Sequence, residues 1–418
     1  MNQEIKKRIE DINNGIVPEG YKQTPFGIFP CDWETDKKLK DLGTFDKGRG
    51  LPGDKMADEG VPCIGYGDIY MKYNYHFEKA QNFIDEETAN ESQPIEKGTL
   101  LFTGTGETAE EIGKCVCYNG DETIYAGGDI ILFNSKDVSP LFLAYQQYQD
   151  FSLKKKATYG QGHSVVHIQR GELGKLNTAF PKDKTEQSKI AEILMKWDEM
   201  VELQEQYIQK LELRKKAIIQ KILMNNKGWI KTPLTKVLKE RKTYAILDSE
   251  YPHVTLGKSG VVDKTEQYER DFLVKSDDKE YKITYPGDIV YNPANLKFGV
   301  ICVNKYSMPA IFSPIYVTFE VNDEYNVDFI GAVLCSENFV RYIRKYEEGS
   351  LYERQAVKPE DFLKGEILIP EKKEQDDIAK VIQLADEEIS LQKEKLEKIK
   401  IQRKAMQQYL LTGIVRVS

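Results

Sequence analysis

Apolar residues recur at alternating spacings of three and four along two stretches of the chain. The first stretch runs Leu194, Trp197, Val201, Gln204, Ile208, Leu211, Lys215, Ile218 and Ile222. The second runs Ile382, Ala385, Ile389, Gln392, Leu396, Ile399, Arg403, Met406 and Leu410 on the same register. This period is that of a helical heptad seam. Neither stretch is broken by Gly or Pro for about 39 residues, which at 1.5 Å per residue predicts a helix on the order of 58 Å. The seam is interrupted at the same two places in both copies, by Gln204 and Gln392 and by Lys215 and Arg403. Polar seam positions commonly fix register and partner choice at some cost in stability. One amphipathic helix per domain, packed on its own core, is the simpler reading. The unbroken length favours two helices packed on each other, antiparallel, because a whole domain separates them in the chain.

The two stretches are copies. Aligning Glu186 with Glu374 gives about 39 ungapped residues with about a third identical, the mark of an internal repeat. Gln187 matches Gln375, Ile190 and Ala191 match Ile378 and Ala379, Asp198 and Glu199 match Asp386 and Glu387, and Leu203 matches Leu391. Each copy follows an apolar-Pro step, Phe180-Pro181 and Ile369-Pro370, which supplies a helix start signal. The segments ahead are weaker copies. Trp33 with Leu39 and Leu42 resembles Trp229 with Leu234 and Val237, and the run from Gly98 to Thr103 resembles that from Gly287 to Asn292. Gly160 and Ile168 stand as far before Pro181 as Gly349 and Val357 before Pro370.

Short apolar runs rich in Tyr and Phe, with turn residues between them, predict a mostly β or α+β fold for both of these segments. The expected layout is an N-terminal helical arm over 1–20, a globular domain over 21–180, a long helix over 181–226, a second globular domain over 227–368 and a second long helix over 369–418. In the arm, Ile5, Ile9 and Ile12 form an apolar stripe among Glu4, Lys6, Lys7, Arg8 and Glu10. Such an arm either packs on the end of the coiled coil or on a partner, or stands free in solvent. Helices kept similar while the domains drift apart predict a common frame carrying two different readers.

Composition narrows the class. The net charge of −8 argues against nucleic acid at first sight. Its distribution says more: residues 1–180 hold 20 basic and 28 acidic side chains, and the remainder holds 39 of each. An acidic chain can still present a basic face, but part of the phosphate affinity then has to come from a partner. Six cysteines with no C-x-x-C pair predict reduced thiols, neither a disulfide framework nor a zinc cluster. No run approaches the ~18 uninterrupted apolar residues of a membrane span. The charged first residues lack the apolar stretch of a secretory signal, so a cytoplasmic protein is expected.

Three motifs then resemble one known family, the specificity subunit of type I restriction-modification systems. Residues Tyr21 to Trp33 (YKQTPFGIFPCDW) resemble the opening of its first target-recognition domain. The Pro-led Glu-Gln-x-x-Ile-Ala helix start occurs twice, and Gln407 to Val417 (QQYLLTGIVRV) resembles the family's helix end. The resemblance covers essentially the whole chain. It implies two target-recognition domains separated by two antiparallel helices with pseudo-twofold symmetry, each domain reading one half of a split, asymmetric duplex target. The helices would set the spacing, since two readers on a rigid frame select half-sites at a defined helical phase. The implied partners are double-stranded DNA and two modification (methyltransferase) subunits, with restriction subunits as a further addition. S-adenosylmethionine is expected on the modification subunit, and no cofactor on this chain.

Catalytic readings are weak. Tyr291 to Asn295 (YNPAN) resembles the Asn-Pro-Pro-aromatic motif of DNA amino-methyltransferases, but the second Pro and the aromatic are missing and no cofactor loop precedes it. The first copy reads Phe102 to Thr105 there, so a turn after a strand is expected. Gly104 to Lys114 misses phosphate-loop spacing: Thr108 stands where the first Gly belongs, Cys115 follows the Lys, and Glu107, Glu110 and Glu111 would repel phosphate. Asp361 with Glu371 and Lys373 has no counterpart in the first copy. His163 and His167 have metal-ligand spacing on a helix, but Gly160 and Gly162 argue for a loop. The chain is expected to be non-catalytic; a stand-alone DNA-modifying enzyme or a coiled-coil scaffold are the competing classes.

Base readout needs Arg or Lys for guanine and Asn or Gln for adenine on loops that reach the grooves, and phosphate contacts need cations, hydroxyls and amides. Two regions per domain meet this description. In the first they are Lys47 and Arg49, then Lys154, Lys155, Lys156, Tyr159, Gln161, His163, Ser164, His167 and Arg170. In the second they are Arg241, Lys242 and Tyr244, then Arg341, Arg344, Lys345, Tyr352, Arg354, Gln355 and Lys358. The later stretches occupy equivalent positions ahead of the two Pro steps.

Overall fold

The computed structural model describes residues 3–51, 56–162, 165–246, 250–257, 260–264, 280–348 and 355–417. The chain forms two compact units, one of Met1–Leu203 with Leu396–Ser418 and the other of Gln204–Lys395. The two long helices, Lys184–Met224 and Lys372–Leu411, therefore each contribute to both units. Among the described residues no helix is long and apolar enough to cross a membrane.

In the first unit a five-stranded sheet runs in the order Gly43–Lys47, Ile130–Ser135, Thr99–Thr103, Cys115–Tyr118 and His76–Phe77. Its centre is Thr99–Thr103, five residues all buried, as expected of a strand covered on both faces. A second sheet orders Asn82–Ile84, Val61–Ile64, Ile124–Ala126 and Gln93–Ile95. The second unit repeats this plan in smaller form. Leu238–Glu240, Val317–Val321, Ile289–Tyr291 and Ile301–Val303 make one sheet, and Tyr244–Ile246, Glu280–Thr284 and Ala310–Phe312 the other. The glycine turn ahead of each central strand recurs with the same backbone, Gly98 and Gly287 both at φ +90°, where a side chain would be strained. The fold is α+β in both units.

The long helices pack antiparallel within each unit. In the first, Arg403 Nε donates to Asp198 Oδ1 at 2.7 Å, and Arg416, just past the second helix, pairs with Glu186 near the start of the first. In the second, Gln204 Nε2 donates to Gln392 Oε1 at 2.9 Å, and Lys215 pairs with Asp386. The polar interruptions of the seam thus have a physical role. Lys215 and Arg403 are repeat-equivalent, as are Asp386 and Asp198, so each basic residue meets the matching aspartate of the opposite helix. Every seam residue from Leu194 to Ile222 and from Ile382 to Leu410 is buried or half-buried.

The duplicated residues at the helix starts also do the same work twice. Gln187 accepts the Ser139 amide at 2.8 Å and donates to the Pro181 carbonyl at 2.8 Å. Gln375 accepts the Asn326 amide and donates to the Pro370 carbonyl, both at 3.0 Å. Both side chains are buried, so each glutamine ties the helix start to the capping residue of a domain helix. Ile190, Ala191 and Leu194 then close the first core together with Leu410 and Leu411, while Ile378 and Ile382 enter the second. Gln187→Ala is expected to cost about 2–3 kcal/mol, because it strands a buried carbonyl and a part-buried amide. Urea unfolding checks this; a loss below about 0.5 kcal/mol, the level of an ordinary surface substitution, would remove the clamp assignment.

The opening and closing motifs of the chain meet in the first unit. Tyr21 Oη donates to the Gly413 carbonyl at 2.6 Å, and Arg416 forks onto Asp32 at 3.0 and 2.9 Å. Gly413, at φ +69°, ends the second helix, and a Cβ there would lie 2.5 Å from Pro30 Cγ. The N-terminal helix, Gln3–Asn13, rests on this closure: Arg8 Nη1 donates to the Ile414 carbonyl at 2.6 Å and its guanidinium lies 5.2 Å from the Tyr21 ring centre. Ile5, Ile9 and Ile12 remain half-exposed.

Candidate nucleic-acid interface

In the first unit the central strand leads into a short ribbon, Thr105–Gly106 against Val166–His167. Gln161 and His167 exchange backbone hydrogen bonds at 3.0 and 2.8 Å, and Thr105 Oγ1 lies 3.2 Å from His167 Nδ1. Behind them Gly160 sits where a Cβ would meet Val166 at 2.7 Å, so the chain turns tightly there. Gln161, His167 and Arg170 are exposed on this support, while Val166 and Ile168 between them are buried. The alternation aims every polar side chain outward from an apolar anchor.

The other candidate region of this unit joins the same backbone. The Gly48 amide donates to the Ile130 carbonyl at 2.9 Å, the Gly104 amide to Asp129 at 3.0 Å and the Ile168 amide to Gly104 at 3.0 Å. Two adjacent residues, Asp129 and Ile130, therefore hold the Lys47 and Arg49 loop and the His167 ribbon on one support. Lys154 and Lys155 are exposed on the helix Asp150–Tyr159, with Lys155 Nζ 5.0 Å from the Tyr159 ring centre. His163 and Ser164 lie outside the described residues.

Lys156 is corrected. It is 1 % exposed, its ammonium donates to the Gly113 carbonyl at 2.9 Å, and burial pushes its pKa down to about 8. The helical period explains this: two residues of the Lys154–Lys156 run face solvent and the third faces the core. No signal of sequence separates them without the helix phase.

The second unit keeps the frame and changes the side chains. The Val357 amide donates to the Pro293 carbonyl at 3.3 Å and Tyr291 Oη to the Val357 carbonyl at 3.0 Å, so the segment ahead of the Pro step again leans on the loop after the central strand. Gln355 and Lys358 are exposed there, with Lys358 paired to Glu348 at 3.2 Å. Arg341, Arg344 and Lys345 are exposed at and beyond the end of helix Glu337–Ile343. Arg344 pairs with Glu347 at 3.2 Å, and Lys345 Nζ lies 4.1 Å from the Tyr342 ring centre. Lys242 and Tyr244 are exposed. Tyr352 and Arg354 lie outside the described residues.

Arg241 is corrected as well. It binds Asp288 through Nε at 3.0 Å and Nη2 at 3.0 Å, lies 4.5 Å from the Tyr285 ring centre and meets Glu320 at 3.4 Å. Its Nε and Nη2 are committed to its own domain, which makes it a strut. What sequence reasoning passed over is the loop after each central strand. Thr105 in the first unit and the turn after Tyr291 in the second fail as catalytic motifs, yet both support the readout segment.

Residues 30–213 match the family model for the type I restriction modification DNA specificity domain. The putative type I restriction enzyme MjaX specificity subunit of Methanocaldococcus jannaschii is 23 % identical over 432 residues, spanning 96 % of this chain and 97 % of that one. The S subunit of a type I restriction-modification system from M. genitalium shares the fold with a TM-score of 0.53 at 14 % identity, over 94 % of this chain and 99 % of its own. A chain from a structure describing complex assembly and conformational transition of the type I R-M system aligns with a TM-score of 0.57 at 12 % identity, over 93 % and 99 %. By this sequence match and this fold, the chain is similar to the specificity subunits of type I restriction-modification systems.

Proposed function

We propose that each unit reads one half of a bipartite, asymmetric DNA target, and that the long helices set the distance between the two readings. The observation that carries this is the repeated frame with unlike side chains. Gln161, His167 and Arg170 stand on it in the first unit, and Arg341, Gln355 and Lys358 in the second. Equal supports with unequal hydrogen-bonding groups are what two different half-sites require. The chain itself is non-catalytic, and adenine methylation belongs to modification subunits that carry S-adenosylmethionine. Two such subunits fit a duplicated frame, with restriction subunits added to that complex.

Exposed apolar residues on each long helix support the partner. Beside the seam, Met200, Leu203 and Tyr207 on the first helix and Leu384 and Leu391 on the second face solvent. Leu203 and Leu391 are repeat-equivalent and 57 % and 62 % exposed, so the same apolar position is left open twice. The acidic net charge fits as well, since a modification subunit then supplies much of the phosphate contact.

Genome-wide mapping of methylated adenines in the host tests the reading: a split motif should vanish when the gene is deleted. Gln161→Ala with Arg170→Ala should relax one half of that motif, and Arg341→Ala with Gln355→Ala the other. Each lost base contact is expected to cost about 1–3 kcal/mol of discrimination. Equal relaxation of both halves by either pair would overturn the two-reader assignment, and unchanged methylation after deletion would leave a scaffold.

A further inference from the structure

The turn that follows Tyr291 holds an aromatic side chain that its own domain does not use. Phe298 is 75 % exposed, although it sits on a rigid support. Asn292 Oδ1 accepts the amides of Ala294 at 3.1 Å and Asn295 at 3.3 Å, and the Phe298 amide donates to the Asn295 carbonyl at 3.0 Å. Leu296 is buried beneath, and Gly299 closes the turn at φ +75°. The phenyl ring is therefore held outward by a preformed turn. Lys297 stands beside it, its Nζ 5.3 Å from the ring centre.

We propose that Phe298 is a wedge that the second unit sets against a base step of duplex DNA, with Lys297 on the neighbouring phosphate. This rests on the DNA-reading function above. An exposed apolar ring flanked by a cation suits a nucleic acid, where the ring contacts or partly unstacks bases and the cation neutralises the backbone. Lys297 and Phe298 line the same groove as Arg341 and Arg344. Its volume of about 1300 Å³ exceeds the ~300–1,000 Å³ usual for a small-molecule site. Its charge suits a polyanion. The acids on its walls are matched: Asp386 by Lys215 and Lys305, Glu337 by Lys216, Asp328 by Lys305 and Glu212 by Lys393. Among the described residues Lys297 has no carboxylate within ion-pair distance, and Arg341 stands one helical turn from Glu337, whose carboxylate is already paired with Lys216. The first unit differs at this place. Its corresponding loop carries Glu107, Glu110 and Glu111 and no aromatic residue, so the wedge acts on one half of the target.

The test uses the assembled complex with its modification subunits and duplexes that carry the mapped target, with a fluorescent adenine analogue moved along it. The wild type should show raised fluorescence, the sign of unstacking, at one step within a single half. Phe298→Ala should abolish that rise and weaken binding by about tenfold, the scale of one lost base-aromatic contact. Phe298→Leu should keep part of both. The unfolding midpoint should not move, because the ring is exposed. A Phe298→Ala complex that binds with wild-type affinity and fluorescence would overturn the proposal. So would a loss of assembly with the modification subunits in the absence of DNA, which would make Phe298 a protein contact. A wild-type complex that selects no target would instead remove the DNA-reading function itself.

Discussion

Exchanging Lys156 for methionine is expected to stabilise the protein at pH 7 by about 1–2 kcal/mol while leaving target recognition unchanged. Burial holds this lysine at about 8 in the fold, whereas the unfolded chain keeps it near 10.5. At pH 7 both states carry the proton, so the full penalty of burying the ammonium applies, about 3 kcal/mol for that difference. Methionine removes it but gives up the charged bond to the Gly113 carbonyl, worth about 1.5 kcal/mol or somewhat more. The sign gives a second check. The folded state releases its proton as pH rises through 8 and the unfolded state only near 10.5, so wild-type stability rises across that window. The advantage of Lys156→Met should therefore shrink between pH 8 and 10.5 in urea unfolding. Lys155→Met, on the exposed face, should do the reverse, with little effect on stability and weaker DNA binding. If Lys156→Met instead lost target recognition at unchanged stability, its assignment to the core would fail.

The contrast between Lys155 and Lys156 shows where sequence reading stops. The heptad period, the repeat and the glycine turns were legible because each is a local rule: a spacing, an identity or a positive φ demanded by a turn. Gln187 and Gln375 could be seen as copies, but their double hydrogen bonds to Ser139 and Pro181, or to Asn326 and Pro370, join segments far apart in the chain. The same distance in sequence hid Arg241, whose neighbours read as a basic loop while its partner Asp288 lies 47 residues on, in the turn just ahead of a strand. A run of basic residues counts charges without saying which way each points. The loops after the central strands fail a catalytic pattern, which says nothing of their structural part. Their role as a ledge for the readout segment rests on backbone bonds, from Ile168 to Gly104 and from Val357 to Pro293, that no side-chain motif encodes.

Arg403→Ala should be among the most damaging single changes in the frame, at about 3–5 kcal/mol, because it leaves a mostly buried carboxylate without its counter-ion. Asp198 accepts Arg403 Nε at 2.7 Å and Tyr145 Oη at 2.6 Å, and the guanidinium lies 3.9 Å from the Tyr75 ring centre. Burial, with Asp198 alongside, pushes the Tyr145 hydroxyl far above its ordinary range, so it stays protonated and donating. Without the arginine, the tyrosine alone must satisfy Asp198. The repeat supplies an internal control. Lys215 faces Asp386 in the equivalent pair, but those side chains are 25 % and 31 % exposed, against 10 % and 21 % for Arg403 and Asp198. Water screens that pair, and Lys215→Ala should cost only about 1 kcal/mol. Arg403→Lys reproduces the residue of the other copy and should fall between them, because an ammonium keeps the charge but loses the planar contact with Tyr75. A double-mutant cycle of Arg403→Ala with Asp198→Ala should show a coupling of about 1–3 kcal/mol. Equal losses at Arg403 and Lys215 would mean that burial does not separate the two pairs. The frame would then be held as a symmetric object, although only its sequence register is symmetric.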